Sequence, residues 1–297
     1  MNIIEKIKRH GISGSGRIAA TLLKRAYFRY YCRNAPVYVN PTPDQLVDIE
    51  QDLRELGVCI DNFSPSPEAF QKFKVEAWFP LDYHGGQHSG VWDEKLLEHW
   101  LSSEILGLKN YGKDDIFIDV AACGSPWAKV LRERMGLTAF AIDLDNSSEA
   151  YSDLSYYRIE NATKTKFSNE SVSGCALHCA FEMFMGKDDI GLIAEAARIL
   201  KPGGKMVILP IYMHTHYCSY VSPECYGKGY SDPLAKEYVE PNMTGIVSSR
   251  KYDAEQLKKR VLDPIIRLGM RYRLLILRNK VELSQFIYCH FILEIER

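Results

Sequence analysis

Two apolar segments that each end on an aspartate constrain the fold of this chain more than any other feature. The first, Ile116-Phe-Ile-Asp119, leads through Val120 into the small-residue turn Ala121-Ala-Cys-Gly-Ser125. The second, Ala139-Phe-Ala-Ile-Asp143, ends 24 residues after Asp119. A strand that ends on a carboxylate beside a tight turn places that group at the carboxyl edge of an open α/β sheet, where such sheets bind ligands. We therefore predict a ligand site at this edge.

Strand-like and helix-like segments alternate from residue 116 onwards. The predicted strands cover residues 116–120, 138–142, 156–159, 175–179 and 205–210, and the predicted helices cover 127–135 and about 189–200. Such alternation predicts a parallel sheet with helices on both faces. After a helix at about 253–268, two strands at 273–277 and 286–295 are joined by a segment too short for a crossover helix. We expect these two strands to pair antiparallel or to lie apart.

The N-terminal third differs in composition from the rest of the chain. Residues 1–33 carry eight Lys or Arg against the single acid Glu5, residues 34–75 contain five prolines, and residues 83–90 form a glycine-rich segment. At 297 residues and 46% hydrophobic, the chain is able to bury a sizeable core. We predict an N-terminal extension over residues 1–92 and one α/β domain over 93–297, with an insertion at about 213–250.

Residues 18–33 mix aromatic and aliphatic residues with Arg and Lys in the pattern of a basic amphipathic helix. Such a helix lies on an anionic membrane surface or packs on its own domain with a solvated basic face, and both interpretations stay open. No apolar run reaches the roughly 18 residues that span a bilayer, and no signal-peptide pattern is present. We expect a cytoplasmic protein, peripheral on the inner membrane face in the first interpretation.

These features resemble the class I S-adenosylmethionine-dependent methyltransferases over roughly residues 95–297. The segment Asp119–Gly124 is similar to the family's glycine-rich first motif, Ile142-Asp143 to its ribose-binding acid, and the segment from Asn161-Ala162 to Val172 to its adenine segment. The most specific match is Arg198-Ile-Leu-Lys-Pro-Gly-Gly204. The resemblance implies an α/β fold with a Rossmann-like, doubly wound, mostly parallel sheet, an antiparallel C-terminal strand pair and a helical N-terminal extension.

The same resemblance implies S-adenosyl-L-methionine as the cofactor and assigns a set of residues to it. The implied cofactor-binding residues are Asp119, Ala121, Gly124, Asp143, Leu144, Asn161, Ala162 and His178. More narrowly, the segments Glu94–His99, Leu177–Glu182 and Leu209–Tyr212 resemble an uncharacterised bacterial branch often associated with surface-polysaccharide gene sets.

The turn after Asp119 distinguishes between cofactors. It retains only Gly124 where most members of the family have two or three glycines, and Pro126 removes one N–H from the start of the next helix. A dinucleotide needs several glycines so that backbone N–H groups reach its pyrophosphate. S-adenosylmethionine carries no phosphate, so this turn favours it over a nicotinamide cofactor.

Methyl transfer to an alcohol needs a base, and histidine is the usual choice because its pKa lies near the working pH. His178 ends the fourth predicted strand, and His214 and His216 follow the fifth. These three are the candidate catalytic bases. With Cys218 or Glu182 the last two form an alternative metal set, but their two-residue spacing is a weak signal, so no metal site is predicted. His84 and His88 flank Gly85-Gly86 in a loop for which folding over the cofactor stays an alternative, and they are interpreted as ordinary loop histidines.

Three function classes stay open at this point. The favoured one is O-methylation of a sugar in a surface polysaccharide, or of a related small molecule, with the tyrosine-rich insertion setting acceptor choice. The second is a nucleic-acid methyltransferase. Two observations argue against it: the core is not basic, and the Asn/Asp-Pro-Pro-Tyr/Phe signature is missing. The third is a non-catalytic binding protein. We expect a small-molecule or glycan acceptor and no nucleic-acid partner.

Overall fold

An eight-stranded sheet organises most of the chain in the computed structural model. The structure describes residues 23, 26–76, 78–145, 151 and 153–297. The described strands are, in chain order, β1 (Ile60–Phe63), β2 (Ile116–Val120), β3 (Thr138–Asp143), β4 (Tyr157–Ile159), β5 (Val172–His178), β6 (Leu200–Ile211), β7 (Cys218–Val221), β8 (Lys236–Val239), β9 (Ser249–Lys251), β10 (Arg271–Leu277) and β11 (Phe291–Glu296). The large sheet has the order β1-β10-β11-β6-β5-β2-β3-β4.

Strand directions confirm the predicted fold class. From β4 through β3, β2 and β5 to β6, each neighbouring pair is parallel. The C-terminal strand β11 then inserts between β6 and β10 and is antiparallel to both. The sheet is Rossmann-like, doubly wound and mostly parallel, with an antiparallel C-terminal strand pair.

One strand of this sheet was not predicted from the sequence. β1 pairs in parallel with β10, with Ile60 opposite Leu274, and Arg278 N donates to the Phe63 carbonyl beyond the pair. Its sequence, Ile-Asp-Asn-Phe, has two exposed polar residues at its centre. An edge strand this short carries little periodicity, so its position is decided by the β10 edge that it covers.

From residue 43 onwards, the described helices of four or more residues begin and end at recognisable signals. They are α1 (Pro43–Glu55), α2 (Pro67–Val75), α3 (Trp92–Leu106), α4 (Trp127–Met135), α5 (Asp188–Ile199), α6 (Ala254–Leu257), a π-helical segment (Lys258–Leu262), α7 (Asp263–Arg267) and α8 (Lys280–Leu283). Thr42 and Gln45 form a capping box at the start of α1. Both α3 and α4 end at a glycine in the left-handed conformation, Gly107 and Gly136.

The core lies between the sheet and helices α2, α3 and α4. Phe117 of β2, Leu97 and Leu101 of α3, and Trp127 of α4 are all fully buried in one cluster. Burying a side chain of this size stabilises the fold by about 1.5–3 kcal/mol. Because α3 and α4 share this buried cluster with β2, the loop that follows β2 has a rigid base.

The described residues form two compact units. The larger comprises Pro41–His216 and Lys251–Arg297 and holds the eight-stranded sheet. The smaller comprises the described residues up to Asn40 together with Tyr217–Arg250, and β7 and β8 pair in parallel within it. The boundary at residue 92 and the insertion at 213–250 remain predictions.

None of the helices within the described residues is long and apolar enough to cross a membrane. Most of the predicted basic helix at 18–33 lies outside the described residues, which begin with residue 23 and continue from 26. Residues 26–31 are helical.

Candidate functional site

The loop between β2 and α4 carries two uncommon backbone conformations. Ala121 and Cys123 have φ angles of +53° and +48°, in the left-handed region that residues other than glycine rarely adopt. Hydrogen bonds from Ser125 N to the Ala122 carbonyl (2.8 Å) and from Ala122 N to the Ile142 carbonyl (3.1 Å) fix this turn. The backbone therefore keeps a glycine-type conformation at two positions that hold no glycine.

Asp143, at the end of β3, fastens that loop to the neighbouring strand. Its Oδ2 accepts a hydrogen bond from Cys123 N and its Oδ1 one from Leu144 N, each at 2.7 Å. Each carboxylate oxygen still has a lone pair for a further donor. A shallow concavity beside Asp143 is lined also by Cys123, Tyr157 and Ile159, whereas the Leu144 side chain is exposed.

Asn161 and Ala162 lie just beyond β4. The Asn161 Oδ1 accepts hydrogen bonds from Thr163 N and Thr163 Oγ1, both at 2.8 Å, which is the geometry of a side-chain-stabilised turn. Ala162 is buried. Of the two concavities described here, neither is lined by Asn161 or Ala162, so the cofactor role assigned to them stays a prediction.

A cavity of about 420 Å³ opens at the carboxyl edge of β2 and β5. This volume falls within the roughly 300–1,000 Å³ of small-molecule sites. The cavity is lined by Tyr83, His84, Lys95, Glu98, His99, Asp119, Ala121, Ala122, Cys123, Gly124, Ser125, His178 and Cys179. It shares Ala122 and Cys123 with the concavity at Asp143. The predicted residues Asp119, Ala121, Gly124, Asp143 and His178 therefore meet at one edge of the sheet.

Asp119 and His178 form a hydrogen-bonded pair in the wall of this cavity. His178 Nδ1 lies 2.9 Å from Asp119 Oδ1, and His178 Nε2 lies 2.8 Å from Ser102 Oγ, whose hydroxyl also donates to the His99 carbonyl. Both ring nitrogens of His178 thus have partners. Among the described residues, the buried Asp119 Oδ2 has none, which leaves a carboxylate oxygen for a ligand donor.

Helix α3 supplies charged side chains to the same cavity although it is buried on nearly all sides. Lys95 Nζ donates to Glu98 Oε1 and Oε2 at 2.8 and 3.1 Å. Burial raises the pKa of the Glu98 carboxyl to about 8, against the attraction of Lys95. Burial by itself lowers the pKa of Lys95, because it disfavours the charged ammonium. The attraction of the Glu98 carboxylate acts in the other direction, and the net effect is a raised Lys95 pKa.

His99 is fully buried beside this ion pair. Its Nε2 lies 2.8 Å from the Tyr83 hydroxyl, and its ring packs against Phe79 and Trp127. Burial, with the nearby charge of His178 and Lys95, lowers the pKa of His99 well below its ordinary 6.5. Within the part of the chain that the structure describes, His99 Nδ1 has no hydrogen-bond partner.

His84 reaches the cavity from the glycine-rich segment. It lies in the short 3₁₀ turn Tyr83–Gly85, with φ and ψ of +49° and +34°, and its ring meets the Tyr83 ring edge-on with centroids 4.5 Å apart. Burial lowers the pKa of His84 below its ordinary 6.5, and the Lys95 ammonium adds to this effect. Sequence reasoning did not select this residue, because nothing in the segment distinguishes His84 from His88.

The other two histidine candidates lie elsewhere in the larger unit. His214 N donates to the Tyr252 carbonyl at 2.7 Å, and the rings of His214 and His216 are 4.3 Å apart. Neither is among the residues that line the 420 Å³ cavity. Of the three predicted bases, the structure brings only His178 to this cavity, while it adds His84 and His99.

The polar residues that line the cavity from α3, Lys95, Glu98 and His99, were not predicted as site residues, although the segment Glu94–His99 was matched to the bacterial branch. With Ser102 they recur at helical spacing between the apolar residues of the same helix. A polar stripe of this kind usually faces solvent. The signal that was present is its composition: a Lys, a Glu and a His on one stripe of a helix that leads directly into the Asp119 strand.

Residues 118–208 match a family model described as a methyltransferase domain. No curated protein matches the chain. Among solved structures, the chain is similar to Burkholderia thailandensis 1,6-didemethyltoxoflavin-N1-methyltransferase with bound 1,6-didemethyltoxoflavin and S-adenosylhomocysteine (11% identity, 78% of this chain, 90% of that chain, TM-score 0.44).

Two further solved structures are similar over much of their length. One is a SAM-dependent methyltransferase from Methanosarcina mazei (12% identity, 63% of this chain, 94% of that chain, TM-score 0.41). The other is geranyl diphosphate C-methyltransferase from Streptomyces coelicolor (14% identity, 76% of this chain, 97% of that chain, TM-score 0.37). Across eight such structures the match spans 47% to 98% of the other chain.

Proposed function

Residues 118–208 match a methyltransferase domain, and we propose that the chain uses S-adenosylmethionine to methylate a hydroxyl oxygen of a sugar or of a related small polar molecule. The observation that carries the proposal is the group of titratable side chains in the wall of the 420 Å³ cavity. Beyond Asp119 and its loop, these include Tyr83, Lys95, Glu98 and His99. A few placed polar groups in a largely apolar wall are typical of small-molecule sites, and here they are able to bind the hydroxyls of an acceptor.

The residues at the sheet edge fit S-adenosylmethionine. The unpartnered, buried Asp119 Oδ2 offers an acceptor to the cationic amino-acid end of the cofactor, and the Asp143 carboxylate offers lone pairs to its ribose diol. When bound, the cofactor supplies an electrophilic methyl group on a positively charged sulfur. The cofactor roles of Ala121, Gly124, Leu144 and His178 belong to the same proposal.

The protein's own contribution is to hold the reacting groups in line and exclude water. Asp119 bonds to His178, and His178 bonds to Ser102 of α3. These two hydrogen bonds join β2, β5 and α3 around the cavity. His178 acts here as a positioning group, since a base role would require one of its two hydrogen bonds to break.

The narrower choice of a glycan sugar as acceptor rests on the resemblance to the bacterial branch associated with surface-polysaccharide gene sets. We assign a role in polysaccharide biosynthesis to the protein on that basis, with a sugar of the glycan or its precursor as acceptor. A role of the insertion at 213–250 in acceptor choice stays a prediction from its length and its tyrosine-rich sequence.

A peripheral membrane contact fits the same role, in a cytoplasmic protein at the inner membrane face. Tyr27, Tyr30 and Tyr31 of the described helical residues 26–31 are each more than 60% exposed. Arg33 lies 4.1 Å from the Tyr30 ring centroid. Exposed aromatic residues beside basic ones are typical of helices that lie on anionic bilayers, and residues 1–33 carry seven more basic than acidic residues.

The function is tested with methyl-labelled S-adenosylmethionine and three acceptor panels: sugar nucleotides with oligosaccharides, small polar metabolites, and oligonucleotides. We expect label on a hydroxyl in one of the first two, seen as a mass gain of one methylene unit. Transfer to an oligonucleotide would establish the nucleic-acid alternative. If calorimetry detects neither S-adenosylmethionine nor S-adenosylhomocysteine binding, the chain is a non-catalytic binding protein.

A further inference from the structure

Three histidines line the cavity, and they differ in whether their ring nitrogens are free. We propose that His84 is the general base that takes the proton from the acceptor hydroxyl. This inference rests on the proposed O-methyltransferase function and assigns a catalytic residue to it. It places the acceptor hydroxyl at the end of the cavity formed by the Tyr83–Gly85 turn.

His178 and His99 are poorly placed for this step. Both nitrogens of His178 are engaged, by Asp119 and Ser102. His99 is fully buried, and its Nε2 is paired with Tyr83. Burial and the nearby His178 and Lys95 disfavour a positive charge on this ring. A base has to accept a proton and return it to water, so a wholly buried ring is unsuitable.

His84 meets both requirements. His84 lines the cavity and is also exposed, which gives the proton a path to solvent. The described residues offer no hydrogen bond to either ring nitrogen of His84. Among them, Tyr83 is the aromatic residue whose ring contacts the His84 ring. The ring nitrogens of His84 are therefore available to an acceptor hydroxyl and to water.

The backbone holds His84 in this position at a cost. Its left-handed conformation is uncommon for a residue with a side chain, and such strain is concentrated at functional sites. Gly85 N and Gly86 N donate to the Asp82 and Tyr83 carbonyls at 3.0 Å. A Cβ at Gly86 would lie 2.8 Å from the Leu81 carbonyl oxygen, so glycine is required there to close the turn that presents His84.

The electrostatic surroundings keep the His84 ring neutral near physiological pH. Burial and the Lys95 ammonium both disfavour its protonated form. The titratable groups that line the same cavity are Tyr83, Lys95, Glu98, His99, Asp119, Cys123, His178 and Cys179. Glu98 and Asp119 are each already paired with a basic residue, so they offset the charge of Lys95 only in part.

The chemical step balances without any group beyond the acceptor and the cofactor. A ring nitrogen of His84 takes the acceptor O–H proton as the acceptor oxygen bonds to the methyl carbon. The carbon–sulfur bond breaks, and its electron pair stays on sulfur. The imidazolium of His84 then releases its proton to water, which regenerates the neutral ring.

The test compares His84→Gln with His88→Gln in the full chain. For the first we expect kcat to fall by about 10²- to 10⁴-fold, with KM and calorimetric S-adenosylhomocysteine affinity nearly unchanged. The acidic limb of the wild-type rate profile, which lies below pH 6.5, should disappear in this variant. His88→Gln should keep both rate and profile, because His88 does not line the cavity.

Two further measurements distinguish loss of the base from misfolding of the variant. His84→Gly relieves the left-handed strain, and added imidazole should restore part of its lost activity. NMR of ring-labelled histidine should show His84 titrating below pH 6.5 and its signal shifting when acceptor is added with S-adenosylhomocysteine. If kcat of His84→Gln stays within threefold of wild type and the acidic limb is kept, the inference about His84 is wrong, while the O-methyltransferase function stands. If the wild type methylates no hydroxyl, the proposed function itself is wrong.

Discussion

At the scale of single residues, the site depends on backbone conformations that its side chains do not favour. Ala121 and Cys123 hold left-handed φ angles in the loop after β2, and each costs roughly 1–2 kcal/mol relative to the right-handed region. The glycine-poor loop therefore keeps its shape because Asp143 and the Ile142 carbonyl fasten it. The missing glycines affect stability more than they affect the geometry of the turn.

Ala121→Gly should therefore stabilise the protein. Relief of the left-handed strain outweighs the flexibility that glycine adds to the unfolded chain, which costs about 0.5–1 kcal/mol, so we expect a gain of up to about 1 kcal/mol in the free energy of unfolding. Urea denaturation measures it. Ala122→Gly is the matched control, because Ala122 is not left-handed and should lose stability. Equal losses in both variants would contradict the strain argument.

Asp143→Asn should weaken cofactor binding. An amide nitrogen cannot accept the N–H of Cys123 or Leu144, so one hydrogen bond is lost, worth about 0.5–1.5 kcal/mol, and the loop loosens. We expect S-adenosylhomocysteine affinity to fall about 10-fold or more in calorimetry. Asp114→Asn is the control, because exposed Asp114 precedes β2 at the opposite end. Unchanged affinity in the Asp143 variant would remove Asp143 from the site.

At the scale of elements, helix α3 combines core packing with a buried polar stripe. Leu97 and Leu101 pack in the core, while Glu94, Lys95 and Glu98 are buried on the same helix. Glu94 accepts hydrogen bonds from Tyr288 N and Cys289 N. Burial nevertheless raises its pKa to about 7. Such a helix is retained for the groups that it presents, since apolar residues would pack at lower cost.

The raised pKa of Glu94 makes stability depend on pH. The folded state binds the proton more tightly than the unfolded state, whose carboxyl has a pKa of 4.5. This contribution is therefore fully present below pH 4.5 and is lost as pH rises towards 7. In the wild type, the free energy of unfolding should decrease between about pH 5 and 7 as Glu94 loses its proton. We expect this decrease to be smaller by about 1–3 kcal/mol in Glu94→Gln. Asp93→Asn serves as the neighbouring control, and identical pH profiles for wild type and Glu94→Gln would contradict the assignment.

At the scale of the whole molecule, the chain divides into a sheet-bearing unit with the site and a smaller unit. The large unit takes β1, α1 and α2 from the region before residue 92. Exposed tyrosines are concentrated in the N-terminal part of the smaller unit, where Tyr27, Tyr30 and Tyr31 lie close to Arg29 and Arg33.

This distribution predicts binding to anionic vesicles. Wild-type protein should sediment with phosphatidylglycerol vesicles at low salt and be released as salt rises, because charge attraction is screened. Tyr27→Ser, Tyr30→Ser and Tyr31→Ser combined should lower the bound fraction several-fold, whereas Tyr230→Ser should not. Equal binding to zwitterionic vesicles, or equal binding by the triple variant, would argue against a membrane contact.

The sequence by itself determined the fold class and one edge of the site. Strand periodicity and connection length are local properties, so the alternating strands and the placement of Asp119 and Asp143 at one edge followed from neighbouring residues alone. For the two C-terminal strands, the short connection left antiparallel pairing and separate positions open, and the family resemblance implied the antiparallel pair. The tertiary structure decided what meets these carboxylates. It buried the polar stripe of α3, engaged both nitrogens of His178, left those of His84 free, and kept His214 and His216 out of the cavity. Burial and partner choice depend on segments far apart in the chain, and a pattern read along one segment carries no record of what packs against it.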